Sequence, residues 1–471
     1  VGRSIARRRW LAPFLIMSID LLVEQASSHH REGQFALAET HYREAIDTEP
    51  NHWGAGFGLA QLLIRINRFD DAIRWLSWLL RDTHDSAAVH RQLGLAHACK
   101  NELNVALGHF QKVLDLEPDN PATLHVIANF QQELGQHGEA NATFRRALEL
   151  KPLITIPAVR SPPDFRALFV FAPGAGNTPF TYLVEQARFE SNVVSLLENF
   201  EYDVEGLRRH ADVVINLIAD VDQSRALLGP AQALIDRIDK PVVNHPRLIV
   251  DTSRDSIARR LADTPHCRVP QTRFFSAGEL ETVRSGGVQP PLSFPLLARP
   301  AGTHGGKNFE KMNDPSRLNT FLTQHSQSGL YLTPYVDYRS DDGYYRKYRF
   351  IFVNKEILPY HLAIGDGWKV HHATTDMANR PWMQTEEQRF LEDPWQVFGA
   401  EQQAALESMR DVIGLDYFGI DCGLDREGAV VMFEVNACML VHGNNDTFPY
   451  KTAAVERIKQ AFHSMLAGLS K

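Results

Sequence analysis

Small and apolar residues return along the first third of the chain at one spacing. Ala38, Ala72, Ala106 and Ala140 lie 34 residues apart. Tyr42, Leu76, Phe110 and Phe144 keep the same frame, as do Ala45, Leu79, Val113 and Ala147. Earlier in each unit a small residue stands in register, at Ala26, Ala60, Gly94 and Ala128. Pro50, Pro118 and Pro152 close units, with His84 in the place of the second proline. Each unit therefore predicts a pair of helices. Small residues let the two approach, an aromatic or large aliphatic side chain fills the groove beside them, and proline ends the second helix. The units run 19–52, 53–86, 87–120 and 121–154.

The pattern changes after residue 154. Residues 155–164 carry Pro157, Pro162 and Pro163 and predict an extended, semi-rigid linker. From Phe165 short apolar runs alternate with helical stretches. Strands are expected at Ala167 to Phe171, Val213 to Ile218 and Pro241 to Asn244, with helices at 180–199 and 224–238. That alternation predicts a small α/β unit with a parallel sheet over 165–246. Farther on, Leu406, Met409, Val412 and Ile413, closed by Gly414, mark an amphipathic helix. Val455, Ile458, Phe462 and Met465 mark another. Between them Tyr417 to Leu424 and Ala429 to Val435 flank the turn signal Asp425-Arg426-Glu427-Gly428, a predicted β-hairpin. With Arg426 and Glu427 at its tip, Asp421 is expected opposite Met432 and diagonal to Glu434. Glu434 and Asn436 would share its face.

Composition narrows the class. A chain of 471 residues has room for several domains, and 44% hydrophobic and 23% charged residues are ordinary for a globular protein. A net charge of −8 gives no reason to expect bulk nucleic-acid or anionic-membrane binding. Cys99, Cys267, Cys422 and Cys438 are scattered without metal or disulfide spacing, which fits a reducing cytoplasm. Residues 1–18 read as an N-terminal arm: Arg3, Arg7, Arg8 and Arg9 precede an apolar stretch that is interrupted by Pro13 and too short to span a membrane. The oligomeric state is left open.

Candidate chemistry concentrates in the second half. Two carboxylates and an amide oxygen converging on an apolar hairpin need a cation, and such hard ligands suit Mg²⁺ or Mn²⁺. Phe294 to Pro300 reads as a strand carrying Arg299, followed by the loop Gly302-Thr303-His304-Gly305-Gly306-Lys307. Its glycines allow backbone N–H groups close to phosphate oxygens, although the spacing is not that of a Walker loop. Alternation in Arg346 to Val353 puts Lys347 and Arg349 on one face; they could hold a phosphate or a carboxylate, or serve as edge-strand charges.

Two resemblances organise these readings. The 34-residue frame is that of tetratricopeptide repeats, which usually bind a partner segment and can also act as spacers. From Val243 to Leu466 the chain resembles ATP-grasp enzymes of the glutathione-synthetase and RimK kind. The likeness is carried by Asp421 with Glu434-Val435-Asn436, the strand and glycine loop around Arg299, and Tyr331 to Asp337. It implies a multidomain protein: an all-α repeat solenoid over 19–154, an α/β pre-ATP-grasp domain, and an α+β ATP-grasp domain over 247–471. It also implies metal ligands Asp421, Glu434 and Asn436, and catalytic cations Arg299, Lys347 and Arg349. Nucleotide contacts would come from Arg254, Arg299, Gly302, Gly305, Gly306, Lys307, Thr333, Tyr335, Val336, Met432 and Phe433, with Asp337 on the ribose. Family members usually carry Lys where Arg299 stands. The implied activity is an ATP- and Mg²⁺-dependent carboxylate–amine ligase working through an acyl phosphate, with the repeats recruiting a peptide or protein. An ATP-grasp phosphotransferase and a nucleotide-sensing adaptor built on the repeats are the alternatives.

Overall fold

The computed structural model describes residues 18–83, 86–174, 176–285, 292–303, 305–306, 308–325, 328–371, 374–443, 445 and 447–471. Most of the N-terminal arm, His84, Ala175, His304, Lys307 and His372 lie outside the described residues. The chain divides into two compact units, Val1–Lys151 and Pro152–Lys471.

The first unit is built of helix pairs: α1 (Ile19–Arg31) with α2 (Phe35–Thr48), α3 (Trp53–Arg65) with α4 (Phe69–Thr83), α5 (Ala87–Cys99) with α6 (Leu103–Leu116), and α7 (Pro121–Glu133) with α8 (His137–Leu150). Ala38, Ala72, Ala106 and Ala140 are wholly buried, as the shared frame requires. The small position in α5 has a direct steric cause. A Cβ added to Gly94 would come within 2.6 Å of the Phe110 ring. The start of each unit repeats as well: Ser18, His52, Ser86 and Asn120 cap α1, α3, α5 and α7, each accepting the backbone N–H three residues on.

The second unit opens with a five-stranded sheet in the order β1-β3-β2-β4-β5. Its strands are β1 (Ile154–Ile156), β2 (Arg166–Phe171), β3 (Glu190–Ser195), β4 (Val213–Asn216) and β5 (Val242–Val243). The last four run parallel; β1 is antiparallel to β3. The short α9 (Thr181–Val184), α10 (Val204–Arg209) and the long α11 (Val221–Ile238) connect them. Both faces of β2 are buried: Ala167 and Phe169 enter one apolar cluster, Leu168 and Val170 the other. Two expectations are corrected here. The helix expected over 180–199 stops after α9, where Gln186 takes a left-handed φ of 58°, and β-branched Val193 and Val194 continue as β3. The expected linker contributes β1 to the sheet edge.

The remainder holds two further sheets. After α12 (Pro246–Ile249), α13 (Arg254–Arg260) and β6 (Cys267–Arg268) come β7 (Arg273–Phe275), α14 (Ala277–Arg284), β8 (Leu296–Pro300), β9 (Glu310–Met312), α15 (Pro315–Gln324) and β10 (Leu330–Pro334). These form a sheet β7-β10-β8-β9, with Leu280 of α14 and Phe321 of α15 in the same apolar cluster as its strands. The other sheet runs β12-β11-β13-β14-β6, from β11 (Tyr345–Val353), β12 (Glu356–Gly365), β13 (Tyr417–Leu424) and β14 (Val430–Asn436). The helices α16 (Pro381–Glu392), α17 (Ala400–Ile413) and α18 (Thr452–Leu469) complete the unit. Asn244, at φ 55°, pins the start of β13: its Oδ1 accepts from the N–H groups of Asp416 and Tyr417 at 3.0 Å, and its Nδ2 donates to the Tyr417 carbonyl at 2.6 Å.

Candidate active site

β13 and β14 form the expected hairpin, with one difference in register. Asp421 pairs directly with Glu434, and Cys422 with Met432. Phe433 is the extra residue of a β-bulge, which shifts the ladder by one position and brings the two carboxylates face to face instead of diagonal. On its other side Asp421 pairs with Arg349 of β11. β11 lies between β12 and β13, so Lys347 and Arg349 are not edge-strand charges.

Cations answer each carboxylate. Arg349 Nε donates to Asp421 Oδ1 at 2.6 Å and Lys347 Nζ to Oδ2 at 3.0 Å. Asp421 is buried, which by itself would raise its carboxyl pKa; Arg349 and Lys347 outweigh burial and hold it well below the usual range. Burial likewise works against the Arg349 charge, and Asp421 more than restores it. Glu434 Oε1 accepts from Arg254 at 2.5 Å and lies 4.0 Å from Arg299. Burial lowers the Arg299 pKa, and the nearby Arg254 charge adds to that against Glu434.

These groups line one cavity of about 190 Å³ between the two later sheets. One part of its wall is cationic: Arg254, Arg299, Lys347, Arg349 and Lys369, against the carboxylates Asp421 and Glu434. The other part is apolar and aromatic, with Leu297, Tyr335, Val336, Trp368, Met432 and Phe433. Thr272 and Thr333 also line it and share a hydrogen bond of 2.9 Å. Such a wall suits a ligand with a flat, largely apolar end and a polyanionic end.

The expected residues do not all reach this wall. Arg254, Arg299, Gly305, Gly306, Thr333, Tyr335, Val336, Lys347, Arg349, Asp421, Met432, Phe433 and Glu434 do. Asn436 stands past Glu434 at the end of β14, where its Oδ1 accepts the Cys438 N–H at 2.7 Å. Asp337 is exposed, outside the cavity lining, and pairs with Arg339 at 3.5 Å. Gly302 lies outside the lining, with its carbonyl taken by Gln223 Nε2 at 2.9 Å. Lys369 sits in the loop after β12 and donates to the carbonyls of Gly306 (2.7 Å) and Phe309 (3.0 Å). Sequence reasoning had no role for Trp368 or Phe309, whose rings meet edge to face at 5.4 Å. The sequence places each beside a lysine, Phe309 two residues after Lys307 and Trp368 directly before Lys369, but does not show that the two rings meet.

Comparison with known proteins bears on the first unit. Residues 29–94 and residues 121–152 each match a family described as tetratricopeptide repeat. Over 97 residues the chain is 30% identical to Anaphase-promoting complex subunit 7 of Arabidopsis thaliana, covering 21% of this chain and 17% of that protein. Over 143 residues it is 25% identical to Tetratricopeptide repeat protein 13 of Homo sapiens, covering 29% of this chain and 16% of that protein. The chain thus spans less than a fifth of the length of these relatives. Among solved structures it is similar to MamA from Desulfovibrio magneticus RS-1, at 21% identity and a TM-score of 0.28, over 28% of this chain and 76% of that one. The N-terminal region is therefore an all-helical array of tetratricopeptide repeats, and an α/β region follows it.

Proposed function

We propose that the second unit is an ATP-dependent carboxylate–amine ligase of the ATP-grasp kind, and that the repeats recruit a peptide or protein partner. The observation that carries this reading is the divided wall of the cavity, apolar on one part and cationic on the other, with two opposed carboxylates between the sheets. A nucleotide has that polarity: a flat base and a chain of phosphates.

The donor set fits a hard divalent cation. Asp421 and Glu434 face each other across the hairpin, and among the described residues no group of three His, Cys, Asp or Glu side chains gathers to hold a metal alone. Two carboxylates with the shell completed by phosphate oxygens is the usual arrangement for Mg²⁺. Asp421 and Glu434 would hold the ion, which supplies charge neutralisation on the phosphates when bound.

The chain's own residues do the rest. Arg254 and Arg299 would bind the phosphates, and Lys347 with Arg349 would orient a substrate carboxylate. A carboxylate oxygen attacks the γ-phosphorus; the bond to the β–γ bridging oxygen breaks and ADP leaves. The amine nitrogen then attacks the acyl carbon, the bond to phosphate breaks, and the amine gives up its proton as the amide forms. Trp368 and Phe309 beside the cavity would help keep water from the acyl phosphate. The test is a substrate screen for amine-dependent ADP release, followed by product mass. An amide product supports the ligase; phosphate transfer to the acid or an alcohol, with no amide from any amine, points to a phosphotransferase instead.

A further inference from the structure

One acid near the cavity has no part in this reading. Asp222 belongs to the first turn of α11, in the parallel-sheet half of the unit. Ser224 (φ −121°, ψ 15°) leaves the helical path just after it, so residues 221–223 form a turn set off from the helix body. From there the Asp222 carboxylate reaches three elements. Oδ1 accepts from the Tyr331 hydroxyl of β10 at 2.6 Å. Oδ2 accepts from the Arg254 guanidinium of α13 and from the Gly302 N–H after β8, each at 3.4 Å. Gln223 completes the hold by donating to the Gly302 carbonyl at 2.9 Å.

Two observations separate this from an ordinary acid at a helix start. A first-turn acid needs only to lie near its own helix to favour the dipole, whereas Asp222 touches three other elements and its side chain is only 10% exposed. Arg254 lines the cavity while Asp222 does not, so Asp222 grips Arg254 from outside the space a ligand would fill. Glu434 holds the same guanidinium from within. A guanidinium is a planar fork, and two carboxylates on different edges fix its orientation. Its cation also sits 5.6 Å from the centre of the Tyr331 ring, so one residue anchors both partners of that contact.

We propose that Asp222, assisted by Gln223, is a positioning residue of the nucleotide site: anchored on Tyr331 and the Gly302 backbone, it sets Arg254 in place for the phosphates. The proposal rests on the nucleotide reading above. Its consequence is specific. Loss of Asp222 leaves the reacting groups intact and disorders the fork that receives the ligand, so ground-state binding suffers more than chemistry.

The experiment uses the full chain with Mg²⁺-ATP as ligand, for wild type, Asp222→Ala, Asp222→Asn and Gln223→Ala. Asp222→Ala is expected to weaken binding by about tenfold or more, the scale of a hydrogen bond to a charged group. KM for ATP should rise while kcat changes by less than about threefold. Asp222→Asn keeps an acceptor for Tyr331 and loses the charge facing Arg254, so it should fall between. Gln223→Ala should show the smaller effect. Hydrogen exchange without ligand adds a readout independent of nucleotide: the Gly302 amide should exchange faster in Asp222→Ala. Equal affinity and equal exchange in Asp222→Ala and wild type overturn the proposal. If wild type itself does not bind Mg²⁺-ATP, the nucleotide reading falls and this assignment falls with it, leaving Asp222 a structural clamp when Gly302 exchange still rises.

Discussion

The two units are held together by different physics. In the repeat array one steric solution is used four times: buried Ala38, Ala72, Ala106 and Ala140, a large side chain beside each, and a cap at every unit start. In the second unit charges go inside. Asp421 is buried between Arg349 and Lys347. Glu387 of α16, fully buried, accepts from the Leu362 N–H, the Tyr450 hydroxyl and Lys451. Burying ions costs more than burying hydrocarbon of the same size, so a buried ionic network is weak evidence for stability. Where such a network lines a cavity, function is the better explanation of why it is there.

The largest effect that would break this comparison is at Asp421. Asp421→Ala leaves the largely buried Arg349 and Lys347 without their anion, and should cost about 3–5 kcal/mol in urea unfolding of the second unit. A cost below about 1 kcal/mol would mean that water already solvates the site. Next in size, Ala106→Leu overpacks the α5–α6 contact and should cost about 1–3 kcal/mol, confined to the repeats. Unchanged melting of the repeats would contradict the close approach at that position. Smaller still, Asn120→Ala removes the acceptor that caps Thr123 at 3.1 Å and should cost about 1 kcal/mol.

The two regions were also unequally legible. The repeats could be read because their packing is local and each unit repeats the same test of the pattern. The hairpin could be read for its face and not for its register: nothing in Val430 to Asn436 announces that Phe433 is a bulge, yet that one residue moves Glu434 directly opposite Asp421. Lys347 and Arg349 were visible through alternation, whereas their protected position depends on β12 covering the edge. β3 reads as a continuation of the helix because the break before it lies in the backbone of Gln186, and no Gly or Pro stands between Val184 and Phe189 to mark it. Asp222 was invisible, since its partners Arg254, Gly302 and Tyr331 come from three distant segments.

A further predicted effect is a pH dependence of the repeats. His109 of α6 has its pKa lowered to about 4 by burial, then by the neighbouring His90 and His97. In the unfolded chain it would titrate at about 6.5. The unfolded state therefore takes up the proton first as pH falls, and the repeats should lose stability between pH 6.5 and about 4. His109→Gln should flatten that slope, read as hydrogen exchange of the α5 and α6 peptides in the full chain. An unaltered slope would place the acid sensitivity elsewhere.

The central claim, a nucleotide cavity in the second unit, is tested most directly by hydrogen exchange with and without Mg²⁺ and a non-hydrolysable ATP analogue. Protection is expected over Thr333 to Val336 and over Met432 to Glu434, where the two sheets line the cavity. No change is expected from Ile19 to Leu150. Gains at both cavity segments with silent repeats are the predicted result; no change at either segment under saturating nucleotide would contradict the account.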